Sequence, residues 1–134
     1  MALERGKPFI ASHSNSYSLF PHTRNLRQKH LDAIKSLGGI VGISLCTHHL
    51  RDMTDGKECT ALDVFAHIDS YMEAGAEDVL GLGCDLDGTD LPVGFSGVGD
   101  LYKIADICQS HGYSEDLVEK IFYKNFYTFL ERNF

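Results

Sequence analysis

Three side chains in the sequence have the types needed for metal-binding or hydrolytic chemistry. His13 lies between two serines that are able to orient its ring, which suits an imidazole that binds a metal ion. Asp85 ends an apolar run that contains glycines, so we expect a partly desolvated carboxylate suited to acid–base work. Arg24 carries the planar guanidinium that binds a carboxylate through two parallel hydrogen bonds. These residues are the candidates for metal-binding, catalytic and substrate-binding roles.

Each candidate also has a purely structural interpretation. Taken alone, His13 is more often a hydrogen-bonded loop residue than a ligand, and Arg24 is equally compatible with a solvated surface arginine. His48 and His49 are adjacent, so on an extended chain they point opposite ways and do not jointly face one metal. Asp87 begins an Asp-Gly dipeptide, which favours a role in a turn. Spacing alone does not decide between these readings.

The composition is that of a globular protein of one domain's size. The chain has 134 residues, and its net charge of -7 comes from 12 basic against 19 acidic residues, which argues against a nucleic-acid partner. No apolar run is long enough to cross a bilayer, so we expect a cytoplasmic protein without a membrane partner. Four scattered cysteines are expected to be reduced thiols. The absence of a nucleophile elbow, a phosphate-binding glycine loop and an H-E-x-x-H helix disfavours serine hydrolases, nucleotide enzymes and the commonest zinc proteases.

The elements that must position the candidates begin with three short apolar runs, at 8–11, 39–45 and 78–84. Each run is continuous rather than alternating, which is typical of strands covered on both faces in a parallel sheet. A segment with helical periodicity follows each run. The sequence therefore predicts an α/β fold of three consecutive βα units with a parallel sheet, plus a C-terminal helix, in a single domain over residues 1–134.

Local signals set the ends of the first two predicted helices. Asn25 is the expected N-cap of the first helix, which ends at Gly38. Thr60, with Asp63 three residues later, predicts a capping box at the start of the second helix, which continues to Gly75. Both helices place apolar residues at helical spacing, so each is expected to pack one face on the sheet.

Two further helices are predicted in the C-terminal third of the chain. The third covers about 99–109 and stops at Gly112, and the last is capped by Ser114. The last helix has a stripe so apolar that we expect it to be buried. That stripe consists of Leu117, Ile121, Phe122, Phe126, Phe129 and Leu130.

Parallel strands joined by right-handed crossovers bring the loops that follow them to one edge of the sheet. The loops after the three runs begin at 12–15, 46–49 and 85–88. We therefore expect His13, Asp85 and one of the two adjacent histidines to lie at the edge where α/β proteins place their chemistry.

Five segments in this order resemble the membrane (renal) dipeptidase family. They are PFIASHSN at 8–15, RNL at 24–26, GGIVGI at 38–43, GLGCDLDG at 81–88 and GYSEDLVEKI at 112–121, with Asn125 close behind. The resemblance spans nearly the whole chain, and several ordered motifs at matching separations are far more specific than any one of them.

This resemblance implies the last strands of a (β/α)8 TIM-type barrel with a two-zinc site, where a metal-bridging water hydrolyses dipeptides. His13 matches the zinc-binding histidine after the sixth strand, and Arg24 matches the arginine that holds the substrate carboxylate. Asp85 matches the eighth-strand aspartate beside the bridging water. Asp87 also matches a family residue, and the resemblance leaves its role open. Residues 46–49 depart from the family pattern and leave the dipeptide preference open.

The resemblance also implies that most metal donors lie outside this sequence. The family's His-x-Asp pair, bridging glutamate and fifth-strand histidine all precede the region that this chain matches, and residues 3–6 resemble the end of the helix before the sixth strand. Because a zinc site needs three or four donors, we expect a C-terminal fragment that is inactive alone and that pairs with itself or with an N-terminal half. The alternative is a non-catalytic remnant or interaction module without metal. A different metal-dependent barrel hydrolase ranks third.

Overall fold

The computed structural model describes residues 2–134, with the side chains of residues 4–134. The strands are β1 (Ile10–Ala11), β2 (Ile40–Ser44) and β3 (Leu80–Cys84). The α-helices are α1 (Gln28–Leu37), α2 (Thr47–Leu50), α3 (Ala61–Glu73), α4 (Tyr102–Ser110), α5 (Glu115–Glu119) and α6 (Asn125–Asn133). Short 3-10 helices lie at Ala2–Arg5 and Val98–Asp100, and a π-helical turn at Lys120–Lys124 joins α5 to α6. In this part of the chain, the helices are too short or too polar to cross a membrane.

The three strands form one parallel sheet in the order β1-β2-β3, as the continuous apolar runs predicted. Ile10 pairs with Ile40, and Val41 pairs with Leu80. All five residues of β2 are buried, because β2 is the central strand and helices cover the sheet. The strands therefore end together at one edge, where the loops after them meet.

The first helix starts later than predicted, and its expected cap has another role. The N-cap of α1 is Arg27, whose side chain makes no capping hydrogen bond. Asn25 is instead buried, and its Nδ2 donates to the carbonyl oxygens of Phe20 and His49. The prediction of Asn25 as N-cap was wrong because these two carbonyl acceptors hold its side chain away from the helix. The predicted end is confirmed, since Gly38 is left-handed at φ 69° and its N–H reaches the last carbonyls of α1.

The capping box of α3 is confirmed. Thr60 Oγ1 accepts from the Leu62 N–H at 3.3 Å, and Asp63 Oδ2 accepts from the Thr60 N–H at 2.8 Å. The helix packs a buried face against the sheet and α4, and Gly75 follows it with a φ of 74°. The core that results contains Leu31, Ile34, Val41, Ile43, Val64, Ile68, Leu80, Ile104 and Ile121.

The third predicted helix is interrupted at its start. Val98–Asp100 forms a 3-10 turn, and α4 begins at Tyr102, three residues later than expected. Ile104 and Cys108 form its buried side, and Gly112 follows with a φ of 92°. All four cysteines are free thiols, as predicted.

The C-terminal helix is only partly buried, which corrects the prediction for its apolar stripe. Ser114 caps α5 as expected, and Ile121 and Phe129 are buried. Phe126 is 44% exposed and Leu130 is 39% exposed. The reason is that these two side chains line an open apolar groove of about 520 Å³ between the helix and one face of the sheet. The stripe therefore has more apolar surface than the described residues cover.

Candidate functional site

Buried polar side chains fix the loop that carries His13 onto β2. Asn15 is fully buried, its Nδ2 donates to the Ser44 carbonyl oxygen, and its Oδ1 accepts from the Ser44 N–H, each at 3.0 Å. The Ser14 N–H donates to the Gly42 carbonyl oxygen at 2.8 Å, and the Tyr71 hydroxyl donates to the Ser14 carbonyl oxygen at 2.8 Å. These four hydrogen bonds therefore fix the loop after β1 to β2 and to α3.

Two glycines let this loop cross the sheet. A Cβ at Gly42 would lie 2.3 Å from the Ser12 carbonyl oxygen, and a Cβ at Gly83 would lie 1.9 Å from the same oxygen and 3.0 Å from His13 Cα. No other residue type fits at such distances, because the neighbouring atoms are backbone. The chain thus passes over β2 to the end of β3, which brings His13 towards the loop that contains Asp85.

His13 is hydrogen bonded through both ring nitrogens. Its Nε2 lies 3.2 Å from Arg24 Nη2, and its Nδ1 lies 2.8 Å from Ser12 Oγ. A guanidinium only donates hydrogen bonds, so His13 Nε2 is the acceptor. The neutral ring then carries its proton on Nδ1 and donates it to Ser12 Oγ. Two of the predicted site residues, His13 and Arg24, are therefore in direct contact.

Asp85 lies at a strained turn at the end of β3. Cys84 has a φ of 44° and Asp85 a φ of 62°, both in the left-handed region that costs about 1–2 kcal/mol for a residue with a Cβ. The Asp85 N–H donates to the Gly83 carbonyl oxygen at 2.6 Å, which stabilises this turn. A Cβ at Gly88 would lie 2.8 Å from Asp85 Oδ1, so Gly88 leaves room for the carboxylate. Consecutive left-handed residues at a predicted catalytic position are typical of functional sites.

His49 connects the other parts of the site. Burial lowers its pKa most, the nearby His22 and Arg24 lower it further, and the Asp85 carboxylate opposes them. The His13 ring adds a smaller lowering. Arg24, Asp85 and His13 therefore all lie close enough to His49 to influence its pKa.

The neighbouring His48 points elsewhere. Its side chain is 63% exposed, and its Nε2 lies 3.7 Å from Asp90 Oδ2. Asp87 is exposed too. His49 and Asp85 are therefore better candidates for the site than His48 and Asp87.

The donor set does not fit a zinc centre. In the part of the chain that the structure describes, no group of three His, Cys, Asp or Glu side chains is arranged to hold a metal ion. A structural or catalytic zinc needs at least three protein donors, and His13 Nε2 already accepts from Arg24. These residues can bind an anion and move a proton, but by themselves they do not hold a metal.

Several residues that build the site were not found from the sequence. Asn15 and Tyr71 hold the His13 loop, and His22 packs its ring on His49 at 4.8 Å between centroids. His67 is fully buried in α3, where its Nδ1 accepts from the Ser16 N–H and its Nε2 donates to the Leu50 carbonyl oxygen. Of these residues, only the burial of His67 could have been predicted from the sequence, since it lies at helical spacing on the buried face of α3.

Comparison with known proteins gives a consistent result. Residues 4–132 match the family model described as membrane dipeptidase (peptidase family M19). A Klebsiella pneumoniae protein of unknown function is 32% identical over 88% of this chain and 44% of its own length, and a Claviceps purpurea dipeptidase is 34% identical over 85% of this chain and 27% of its own. A metallopeptidase from Rhodobacter sphaeroides, solved with a phosphinate mimic of the dipeptide L-Ala-D-Ala, superposes with a TM-score of 0.87 at 35% identity, covering 96% of this chain and 37% of its own. The chain therefore spans less than half the length of these relatives.

Proposed function

We propose, from the premise that this chain belongs to the membrane dipeptidase family, that it supplies the C-terminal part of a zinc-dependent dipeptidase site and is inactive without the rest of that site. One observation carries the proposal: the loops after β1, β2 and β3 bring together His13, Arg24 and His49 with Asp85 nearby, yet the described residues include no three-donor metal group. The arrangement supports substrate binding and proton transfer but requires metal donors from elsewhere.

Three residues have distinct roles in this proposal. Arg24 binds the carboxylate of a dipeptide, because its side chain is exposed and the N–H groups of a planar guanidinium match the two oxygens of a carboxylate. Asp85 holds or takes a proton beside the scissile bond, since its half-buried carboxylate lies at the strand end. His13 would contribute one imidazole to a zinc ion whose other donors lie outside the described residues, in place of the hydrogen bond that its Nε2 accepts from Arg24.

The apolar groove supports a partner that completes the sheet. Ile10 and Phe126 line it from opposite sides and are 43% and 44% exposed. Tyr127 on its rim is 60% exposed. Apolar surface of this kind is normally covered, and the solved dipeptidase relatives contain well over half their length outside the matched region. We infer that the remaining strands and helices of the barrel cover the groove, and that a second copy of the chain is the less favoured occupant.

Complementation tests the proposal directly. The chain is mixed with a polypeptide that carries the N-terminal region of the Rhodobacter sphaeroides relative, zinc is added, and hydrolysis of L-Ala-D-Ala is assayed. We expect activity in the mixture and none in either part alone. Arg24→Lys should raise KM, because lysine lacks the bidentate fork, and His48→Gln serves as the matched control. A fully folded mixed complex that binds zinc and hydrolyses no dipeptide contradicts the proposal.

The lack of a three-donor group also supports a second function, a non-catalytic barrel remnant that acts through its groove. The two functions differ in what His13 does. Metal analysis of the purified chain should find less than one zinc per chain in both cases, whereas His13→Ala should abolish zinc-dependent activity of the mixture only if the chain is part of an enzyme. Light scattering before and after mixing shows whether the chain associates with the N-terminal polypeptide or only with a second copy of itself. A cytoplasmic location stays a prediction.

A further inference from the structure

We infer that His22 is a positioning residue for Arg24 and holds the guanidinium in place to bind a carboxylate, an assignment that rests on the proposed substrate role of Arg24. The Arg24 N–H donates to His22 Nδ1 at 3.1 Å. The guanidinium of Arg24 then reaches His13 Nε2. His22 therefore acts on the backbone of the residue whose side chain meets the predicted metal-binding histidine.

The hydrogen bond from the Arg24 N–H to His22 Nδ1 has the geometry of a familiar turn. A side-chain acceptor at one residue that accepts from the N–H two residues later is the pattern of an Asx-turn, usually made by Asp or Asn. Here the Nδ1 atom of an imidazole takes the place of the carboxylate or amide oxygen. Because the N–H of Arg24 is a donor, Nδ1 carries no proton and the neutral His22 ring is protonated at Nε2.

The ring of His22 has a second contact that Asp or Asn does not provide. Its centroid lies 4.8 Å from that of His49 and 6.0 Å from that of Phe20. The contact between the His22 and His49 rings, which are tilted by 41°, joins the loop after β1 to α2. The same two segments are also joined by Asn25, whose Nδ2 donates to the carbonyl oxygens of Phe20 and His49.

Asn25 makes this junction rigid. It is 6% exposed, and its two N–H groups require carbonyl acceptors, so its amide orientation is fixed. The Asn25 N–H also donates to the His22 carbonyl oxygen at 3.0 Å. Arg24 thus lies between two anchored neighbours, His22 and Asn25, while its own side chain is exposed. An exposed arginine would otherwise sample many rotamers. Because the anchored backbone restricts Arg24 before a ligand binds, less conformational entropy is lost when it binds a carboxylate.

Three variants of the chain separate the two contacts of His22. His22→Asn keeps a turn acceptor near the Nδ1 position and loses the ring contact, whereas His22→Leu loses the acceptor. His48→Leu is the matched control, because His48 is an exposed histidine that contacts Asp90 rather than Arg24. The readouts are the nuclear Overhauser contact between the Arg24 guanidinium and the His13 ring and the affinity for acetate, followed by NMR with backbone amide spectra as the check of folding.

We expect His22→Leu to lose the Arg24–His13 contact and to weaken acetate binding about three- to ten-fold, the equivalent of one net hydrogen bond. His22→Asn should restore both, and His48→Leu should change neither. If His22→Leu keeps the contact, or if His22→Asn fails to restore it, the positioning role is wrong. If the wild-type chain shows the Arg24–His13 contact but binds no acetate, the proposed substrate role of Arg24 is wrong. The effect of the His22 variants on the Arg24–His13 contact still tests the positioning role of His22 in that case.

The wild-type chain provides a test that requires no variant to fold. The nitrogen spectrum of His22 should show an unprotonated Nδ1 and a protonated Nε2 in the neutral ring, with a scalar coupling between the Arg24 amide nitrogen and His22 Nδ1 across the hydrogen bond. A protonated Nδ1 in the neutral ring overturns the inference, because such an atom does not accept from the Arg24 N–H.

Discussion

Gly83→Ala is expected to displace the segment that carries His13. A Cβ at Gly83 would lie 1.9 Å from the Ser12 carbonyl oxygen and 2.9 Å from the Ser12 carbonyl carbon. Real Cβ contacts essentially never fall below 3.0 Å, and these neighbours are backbone atoms that have no rotamer to change. The crossing segment must therefore move by about 1.1 Å or more, and overpacking of this kind costs about 1–3 kcal/mol.

Gly81→Ala is the matched control on the same strand. A Cβ at Gly81 would meet the Ile121 carbonyl oxygen and Ile40 Cγ2, each at 3.8 Å, which is ordinary van der Waals distance. Alanine also restricts the unfolded chain, so this variant should be neutral or more stable by about 0.4–1 kcal/mol. Urea unfolding followed by circular dichroism gives the free energy of unfolding for both variants and the wild type.

The same pair of variants tests the site. Gly83→Ala should remove the contact between the Arg24 guanidinium and the His13 ring, which NMR detects, and Gly81→Ala should keep it. Equal free energies of unfolding for the two variants would refute the reasoning, since it depends on the close approach at Gly83 rather than on the loss of a strand glycine. An unchanged Arg24–His13 contact in Gly83→Ala would show that the glycine does not position His13.

Three further predictions concern stability and are read from urea unfolding. Thr60→Ala removes the side-chain half of the α3 capping box and should cost about 1 kcal/mol, so an unchanged stability contradicts the cap. Asn15→Ala leaves the N–H and carbonyl of buried Ser44 without partners and should cost about 2–4 kcal/mol, where a loss below that of Thr60→Ala would count against the anchor. Burial lowers the pKa of His67 below 6.5 in the folded chain, so the unfolded chain binds the proton more readily. Its contribution to stability is therefore complete above the unfolded pKa and is lost as the pH falls from about 6.5 towards the lowered folded pKa. His67→Gln should lose less stability over that range than the wild type, and an identical pH dependence of the two would show that folding does not lower the pKa of His67.

Features that depend on neighbours in the chain could be predicted from the sequence. The continuous apolar runs predicted three parallel strands, which the sheet confirms. The Thr60–Asp63 spacing predicted a capping box because both of its hydrogen bonds are made within one helical turn. Gly38 predicted the end of α1 for the same reason, since a left-handed φ is a local requirement.

Features in which a side chain has partners far away in the sequence could not be predicted in this way. Asn25 has the residue type and position of an N-cap, but the carbonyl oxygen of His49, 24 residues later, takes its Nδ2. The close approach of Ser12 to Gly42 and Gly83 likewise cannot be predicted from neighbouring residues, because it depends on where Ser12 lies in the fold. The sequence gives no indication of the role of His22. Its imidazole replaces the usual acceptor of the turn, and this is recognised only from the hydrogen bond that the Arg24 N–H donates to it.

The mismatch between the apolar pattern and the observed burial bears on the proposed function. Periodicity predicts which residues a sequence is built to bury, irrespective of which chain covers them. In α3 the apolar residues Phe65 and Ile68 are buried, whereas in α6 the predicted stripe leaves Phe126 and Leu130 over a third exposed beside an open groove. The apolar face of the helix is therefore suited to a contact that the described residues do not provide.

The loops at the strand ends are incomplete as well. They contain a carboxylate, a guanidinium and imidazoles but too few donors for a metal. A partly uncovered apolar face and a strand edge with too few metal donors among the described residues both support the proposal that further strands of a barrel complete the two together.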